Sequence, residues 1–273
     1  MNRQPVGVFD SGVGGLSVLR EIRALLSNED LLYVADSAYI PYGEKPPAFV
    51  RARAIALTQF LLDHDAKAIV VACNTATAIA IAPLRARFAV PIVGMEPAVK
   101  PAATQTRARS IGVLATNSTI TSERFASLLA RFAGNIEVHV QPCPTLVEHV
   151  ERGDLTGSAT REQVKKYVAP LIDRGVDTLV LGCTHYPFLH ALIADVAGPE
   201  VHIIDPNPSV ARELQRRLDR GHLRSPANHQ GSEKFWTSAE PEDAERVMMR
   251  LWGKAIALKH LPRLASTSVE NQS

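Results

Sequence analysis

The chain has 273 residues, 46% of them hydrophobic, with 30 basic and 28 acidic side chains and a formal net charge of +2. That is the composition of a folded globular protein, and a charge so near balance, with no basic block interleaved with aromatics, argues against a nucleic-acid partner. The N-terminal MNRQPVGVFDSG lacks the apolar run of a signal peptide, and the uncharged stretch from Ala68 to Leu84 is shorter than the roughly 20 residues of a membrane helix.

The first element in the chain is VGVFD, from Val6 to Asp10, a strand apolar enough to be buried on both faces. It runs into the glycine-rich turn DSGVGG and an amphipathic helix over Leu16 to Leu26. DLLYVAD (Asp30 to Asp36) is the second strand, followed by a PYG turn at Pro41 to Gly43 and a helical pattern over Ala48 to Leu62. AIVVA (Ala68 to Ala72) leads into CNTATA, and VPIVGM (Val90 to Met95) into EPAVKP. Then come the strand SIGVLAT (Ser110 to Thr116), a helix over Ser122 to Phe132, IEVHV (Ile136 to Val140), a helix over Arg161 to Arg174, TLVLG (Thr178 to Gly182) and VHIID (Val201 to Asp205). After DPNP follow the amphipathic helix SVARELQRRLDR, KFWTSA and the helix EDAERVMMRLWG, a section expected to pack back on the first domain. The final ASTSVENQS reads as a disordered end.

Apolar strands alternating with helices predict parallel sheets covered on both faces, and the length favours two domains. A short internal repeat supports this. VGVFDSGVGG at Val6 aligns with IGVLATNSTI at Ile111, 105 residues on (111 less 6), and VVACNTAT with VLGCTHYP sets Cys73 against Cys183, 110 residues on (183 less 73). The predicted domains are 1–97 plus 207–273 and 98–206, with crossings near Glu96–Pro101 and Asp205–Pro208.

Three cysteines, Cys73, Cys143 and Cys183, are expected to stay reduced in the cytoplasm. Cys73 and Cys183 each end a strand, where open parallel sheets bind ligands, and each is expected to begin a helix. A helix N-terminus favours a carboxylate ligand and lowers a thiol's pKa. A free cysteine is more often a small buried hydrophobe, and Cys143, in QPCPT, is read that way. The matched placement of the other two favours chemistry. His185 lies two residues beyond Cys183 and Asp10 ends the first strand, so an imidazole and a carboxylate are at hand to move protons. Their plainer readings are a hydrogen-bonded histidine and a helix cap. DSGVGG resembles a phosphate loop, but Ser17 stands where G-x-G-x-x-G needs its third glycine. A zinc site from Cys183, His185 and His190 lacks the usual ligand spacings.

The strings FDSGVGGLSVLREI, YVADSAYIPYG, VVACNTATA, PIVGMEPAVKPA, GVLATNST, CPTLVEHVERG, VLGCTHYP and FWTSAEP resemble those of glutamate racemases over nearly the whole chain. The resemblance implies an α/β fold of two doubly wound parallel-sheet domains of similar topology, related by a pseudo-twofold, with the active site in the cleft between them. It implies no pyridoxal phosphate, flavin or metal: no cofactor. Cys73 and Cys183 are then the proton-transfer pair, with Asp10 beside Cys73 and His185 beside Cys183. Ser11, Tyr42, Gly43, Asn74, Thr75, Thr116, Thr119 and Thr184, with Asp10 and His185, match substrate-binding positions, and Glu151 the acidic residue supporting the histidine. The expected partner is a small molecule, glutamate, with no nucleic acid and no membrane; a homodimer is left open. Some family members carry a longer N-terminal extension linked to activation by a cell-wall precursor; with few residues before the first strand, that regulation is not expected here. A related aspartate-specific family has an acidic residue in place of His185, so His185 favours glutamate. The rival reading of another class is a two-lobed amino-acid-binding protein, which needs no facing thiols.

Overall fold

The computed structural model describes residues 3–264. The C-terminal ASTSVENQS, read above as disordered, lies outside the described residues, as do the outermost limits of the first predicted domain. The strands are β1 (Val6–Asp10), β2 (Leu31–Ala35), β3 (Ala68–Val71), β4 (Ile92–Gly94), β5 (Ser110–Ala115), β6 (Glu137–Pro142), β7 (Thr178–Gly182), β8 (His202–Ile204), β9 (Glu233–Thr237) and β10 (Leu258–His260). The helices are α1 (Leu16–Leu25), α2 (Pro47–Asp63), α3 (Asn74–Arg87), α4 (Val99–Gln105), α5 (Asn117–Ile120), α6 (Glu123–Phe132), α7 (Pro144–Glu151), α8 (Ser158–Ile172), α9 (His190–Ala197), α10 (Asn207–Arg220) and α11 (Pro241–Trp252).

Both sheets are parallel throughout. One has six strands in the order β10-β9-β2-β1-β3-β4 and the other four in the order β6-β5-β7-β8. The run β2-β1-β3-β4 is therefore repeated as β6-β5-β7-β8, which is the short sequence repeat expressed as topology. β1 lies between β2 and β3, with Val8 opposite Tyr33 on one side and Val70 on the other. β5 is placed likewise, with Val113 opposite Val140 and Val180. Central position explains the apolar sequences: every residue of β1, β3 and β7 is buried, since a parallel sheet has helices on both faces.

The chain passes from the first sheet to the second between β4 and β5, and back between β8 and β9. The returning β9 pairs with β2, and α10 packs along α1. One apolar cluster includes Val8, Val13, Leu19, Leu146, Val150 and Leu181, so apolar packing is continuous from one sheet to the other. Two local expectations need correction. The edge strand β6 lies at Glu137–Pro142 and is mostly half-buried, later than the apolar letters suggested, because an edge strand is held by main-chain pairing more than by burial. The short exposed β10 was not anticipated; Leu258, Lys259 and His260 carry no strand pattern and pair because β9 offers an open edge.

Candidate active site

Four strands converge their carboxyl ends on one cavity. β1 delivers Asp10 and Ser11, the segment after β3 delivers Cys73, Asn74 and Thr75, β5 leads to Thr116, and β7 leads to Cys183, Thr184 and His185. The cavity is small, about 20 Å³, and is lined by Ser11, Tyr42, Gly43, Cys73, Asn74, Thr75, Thr116, Cys183, Thr184 and His185, together with Pro41 of the PYG turn and with Val147, which the sequence had not suggested. Three residues matched from sequence stand outside this lining: Asp10 is fully buried and bonds Thr184 Oγ1 at 3.4 Å, Glu151 bonds His185, and Thr119 closes a hydroxyl network.

Cys73 is the N-cap of α3, its sulfur accepting the Ala76 N–H at 3.4 Å and lying 3.8 Å from Ser11 Oγ. The expectation that the helix end lowers this thiol's pKa is overturned. Burial, and then the nearby Asp10 carboxyl, push it well above its ordinary value, outweighing the Ala76 contact. Cys73 therefore rests as a thiol. Asp10 is itself raised by burial, against the opposing pull of His185 and of N–H bonds that include Gly15 N–H at 2.8 Å. It thus holds the start of α1, as its plainer reading had it, and its charge is felt at Cys73.

Cys183 does not begin an α-helix, as the sequence reading had it. It is followed by a 3₁₀ turn over Tyr186–Leu189, and its partner is a side chain, His185 Nδ1 at 3.7 Å. The other ring nitrogen, Nε2, lies 2.7 Å from Glu151 Oε1. Burial opposes a charge on this imidazole, but the bonds to Cys183 and Glu151 outweigh it and raise His185 well above 6.5. As an imidazolium it donates from both nitrogens, to the sulfur and to the carboxylate. Among the described residues no three His, Cys, Asp or Glu side chains group as metal ligands, so the Cys183–His185–His190 zinc alternative has no donor set.

The glycine-rich turn has a steric reason. A Cβ on Gly14 would lie 2.3 Å from His185 Nδ1, and one on Gly12 would lie 2.1 Å from Glu151 Oε1. Val13 N–H donates to that same oxygen at 2.7 Å. DSGVGG is thus a surface shaved flat so that Glu151 and His185, from the four-stranded unit, can seat on the six-stranded one.

The raised His185 sets a pH dependence. Its contribution to stability is complete below about pH 6.5 and is lost as pH rises through the higher folded value. Cys73 and Tyr33 act in the same direction, but only above their ordinary values of 9.0 and 10.0. The urea midpoint should fall between about pH 6.5 and pH 8.5, and His185→Asn should flatten that slope. An equal slope in the variant would mean that the imidazole gains no proton on folding.

A family model described as Asp/Glu/hydantoin racemase matches residues 6–214. The chain belongs to this family. Among its relatives are the glutamate racemase of Methylococcus capsulatus, 54% identical over 261 residues and covering 96% of each chain, and that of Pseudomonas aeruginosa, 55% identical over 249 residues, 91% of this chain and 94% of the relative. Among solved structures, a Bacillus anthracis glutamate racemase superposes with a TM-score of 0.88 at 33% identity, covering 96% and 98% of the two chains. The Escherichia coli glutamate racemase solved with L-glutamate and the activator UDP-MurNAc-Ala gives 0.84 at 32%, covering 94% and 98%. No helix among the described residues is long and apolar enough to cross a membrane.

In this racemase the polar wall of the cavity is largely prepaired. Thr75 and Thr116 Oγ1 are 2.9 Å apart, as are Thr116 and Thr119. Ser17 Oγ, on α1, donates toward the Thr184 carbonyl at 2.9 Å and so braces the turn carrying Cys183 and His185. Asn74 differs: it is buried, and neither atom of its amide has a partner. Such a group costs about 1–3 kcal/mol until a ligand meets it. Tyr42 lines the cavity, and its hydroxyl donates to Asp36. Sequence reasoning missed Asp36, Arg53 and Ser17. The one available signal was that YVAD ends in an aspartate, as VFD does at Asp10.

Proposed function

We propose that this racemase interconverts L-glutamate and D-glutamate in the cytoplasm by two-thiol proton transfer, without a cofactor, supplying D-glutamate for peptidoglycan. The proposed units are 1–97 plus 207–273 and 98–206, with the cleft between them as the reaction site. The observation that carries the reading is the pair of thiols in one cavity, Cys73 from one sheet and Cys183 from the other, each with its own titratable neighbour.

Inverting an α-carbon requires a base on one face and an acid on the other. His185 Nδ1 lies against the Cys183 sulfur, while Cys73 beside Asp10 holds its proton; in each turnover one sulfur acts as the thiolate and the other as the thiol. The thiolate takes the α-proton, the opposite thiol delivers its own, and turnover exchanges their states. The Asn74 amide and the Thr75 and Thr116 hydroxyls supply neutral donors for the substrate carboxylates. Positioned acid and base groups contribute about 10²–10⁴-fold; the remainder falls to donors fixed in advance within a closed cavity.

Circular dichroism of either pure enantiomer, incubated with enzyme dialysed against a chelator, tests the activity. Solvent labelling tests the two-thiol mechanism. In deuterated water at low conversion, D-glutamate formed from L-glutamate should carry an α-deuterium in nearly every molecule, and recovered L-glutamate almost none. Abundant unlabelled D-glutamate would indicate one group serving both faces and would exclude opposed thiols. Binding of glutamate with no turnover would favour the binding-protein alternative.

A further inference from the structure

Asp36 takes no part in the proton transfer, yet its carboxylate is wholly buried, at 0% exposure. Arg53, on α2, meets it with both arms of its fork: Nε donates to Oδ2 at 2.9 Å and Nη2 to Oδ1 at 2.6 Å. The Tyr42 hydroxyl donates to Oδ2 as well. Burial and the neighbouring Asp36 charge raise the Tyr42 pKa well above 10.0, so this phenol remains a donor. On its other side the Arg53 guanidinium lies 4.2 Å from the centroid of the Tyr39 ring.

Tyr39 belongs to a 3₁₀ turn over Ser37–Tyr39 and Tyr42 to a second over Tyr42–Glu44. One cation therefore grips both turns of the segment whose Pro41, Tyr42 and Gly43 form a wall of the cavity. At the far end of that wall the Gly43 carbonyl accepts Ser118 Oγ at 2.6 Å from across the cleft. Replacing a buried ion pair with apolar side chains is often neutral or stabilising. Packing alone thus gives no reason for a charge pair against the apolar cluster of Tyr42, Val50, Ala54 and Leu57. What a bidentate fork adds is orientation.

We infer that the Asp36–Arg53 pair is a positioning device for substrate binding, setting the Pro41–Gly43 wall at the spacing the bound amino acid requires. The inference rests on the proposed glutamate site. Neither residue lines the cavity, so each acts through Tyr42 and the main chain of the wall. A loosened wall is competent for only part of the time, which weakens apparent binding in proportion to the lost population. The chemistry of the bound complex is little changed.

The test is steady-state racemisation by the full chain in both directions, with calorimetric titration of D-glutamate and a melting curve, for wild type, Arg53→Ala, Arg53→Lys and Tyr42→Phe. Arg53→Ala should raise KM and the calorimetric Kd about tenfold with kcat within about threefold, the pattern of lost positioning in the binding step. Arg53→Lys, which keeps the charge without the fork, should fall between wild type and alanine. Tyr42→Phe should move KM in the same direction. Lowered melting temperatures with unchanged KM and Kd would overturn the inference in favour of a purely structural pair. A fall in kcat at constant KM would overturn it too. If Arg53→Ala fails to fold, the lysine and phenylalanine variants make the same comparison. A wild-type chain that binds D-glutamate without racemising it would refute the proposed reaction while leaving positioning to be judged by the Kd values. One that neither binds nor racemises it would overturn both.

Discussion

Replacing Cys73 or Cys183 with alanine should cut racemisation in both directions by at least about 10³-fold, within the range for removing a positioned acid or base. Both directions are lost in either variant because every turnover uses both sulfurs, one to remove the α-proton and one to return it. The fold should survive, since each replacement removes a single buried sulfur atom at the cavity wall. Cys143→Ala is the matched control. That thiol is fully buried, its sulfur donating to the Gln141 carbonyl at 3.3 Å, and it does not line the cavity. It should keep activity within about twofold and lose about 1 kcal/mol of stability, an ordinary core effect. Enantiomer-resolved rates on the three purified variants decide the matter. A Cys73 or Cys183 variant retaining a tenth of wild-type activity would remove that thiol from the mechanism, and a large loss at Cys143 would mean that the wrong pair had been chosen.

Gly14→Ala is expected to lower kcat/KM about 10²-fold, the usual consequence of displacing a catalytic group by an ångström. The added methyl would meet His185 at Nδ1, Cε1 and Cγ, at 2.3, 2.5 and 2.7 Å. The ring has nowhere to retreat: it is 2% exposed, and Glu151 holds its far nitrogen while being tied to Val13 N–H. The four-stranded unit must then back away, or the ring must leave Cys183; either breaks the 3.7 Å contact to the sulfur. Overpacking of this kind should also cost about 1–3 kcal/mol in urea denaturation. Wild-type rates in Gly14→Ala would show that the imidazole is not needed against Cys183.

Much of the fold was legible because its determinants are local. β1, β3 and β7 lie at the centre of their sheets, buried on both faces, so their apolar runs announced them almost residue for residue. At the periphery the same reasoning slipped: β6 is displaced and β10 was missed, since edge pairing is settled by which neighbour presents an open row of main-chain groups. The ends of the central strands also marked where chemistry could sit, which is why Asp10, Cys73 and Cys183 stood out.

The amino-acid sequence by itself determined the alternation of strands and helices, the doubling of one topological unit, and the identity of the two thiols, because each is written in short-range patterns and a repeated order. Only the tertiary structure decided what surrounds those thiols. A helix end read from sequence suggested a lowered pKa at both. Burial beside Asp10 raises Cys73 instead, and Cys183 faces an imidazole held by Glu151 from a separate helix. It also decided that the glycines of DSGVGG make room for His185 and Glu151 rather than for phosphate, and that the Tyr42 hydroxyl answers to Asp36. Desolvation, Coulomb interaction and steric contact depend on distances in space between residues as far apart in the chain as Val13 and Glu151, and no local pattern encodes those distances.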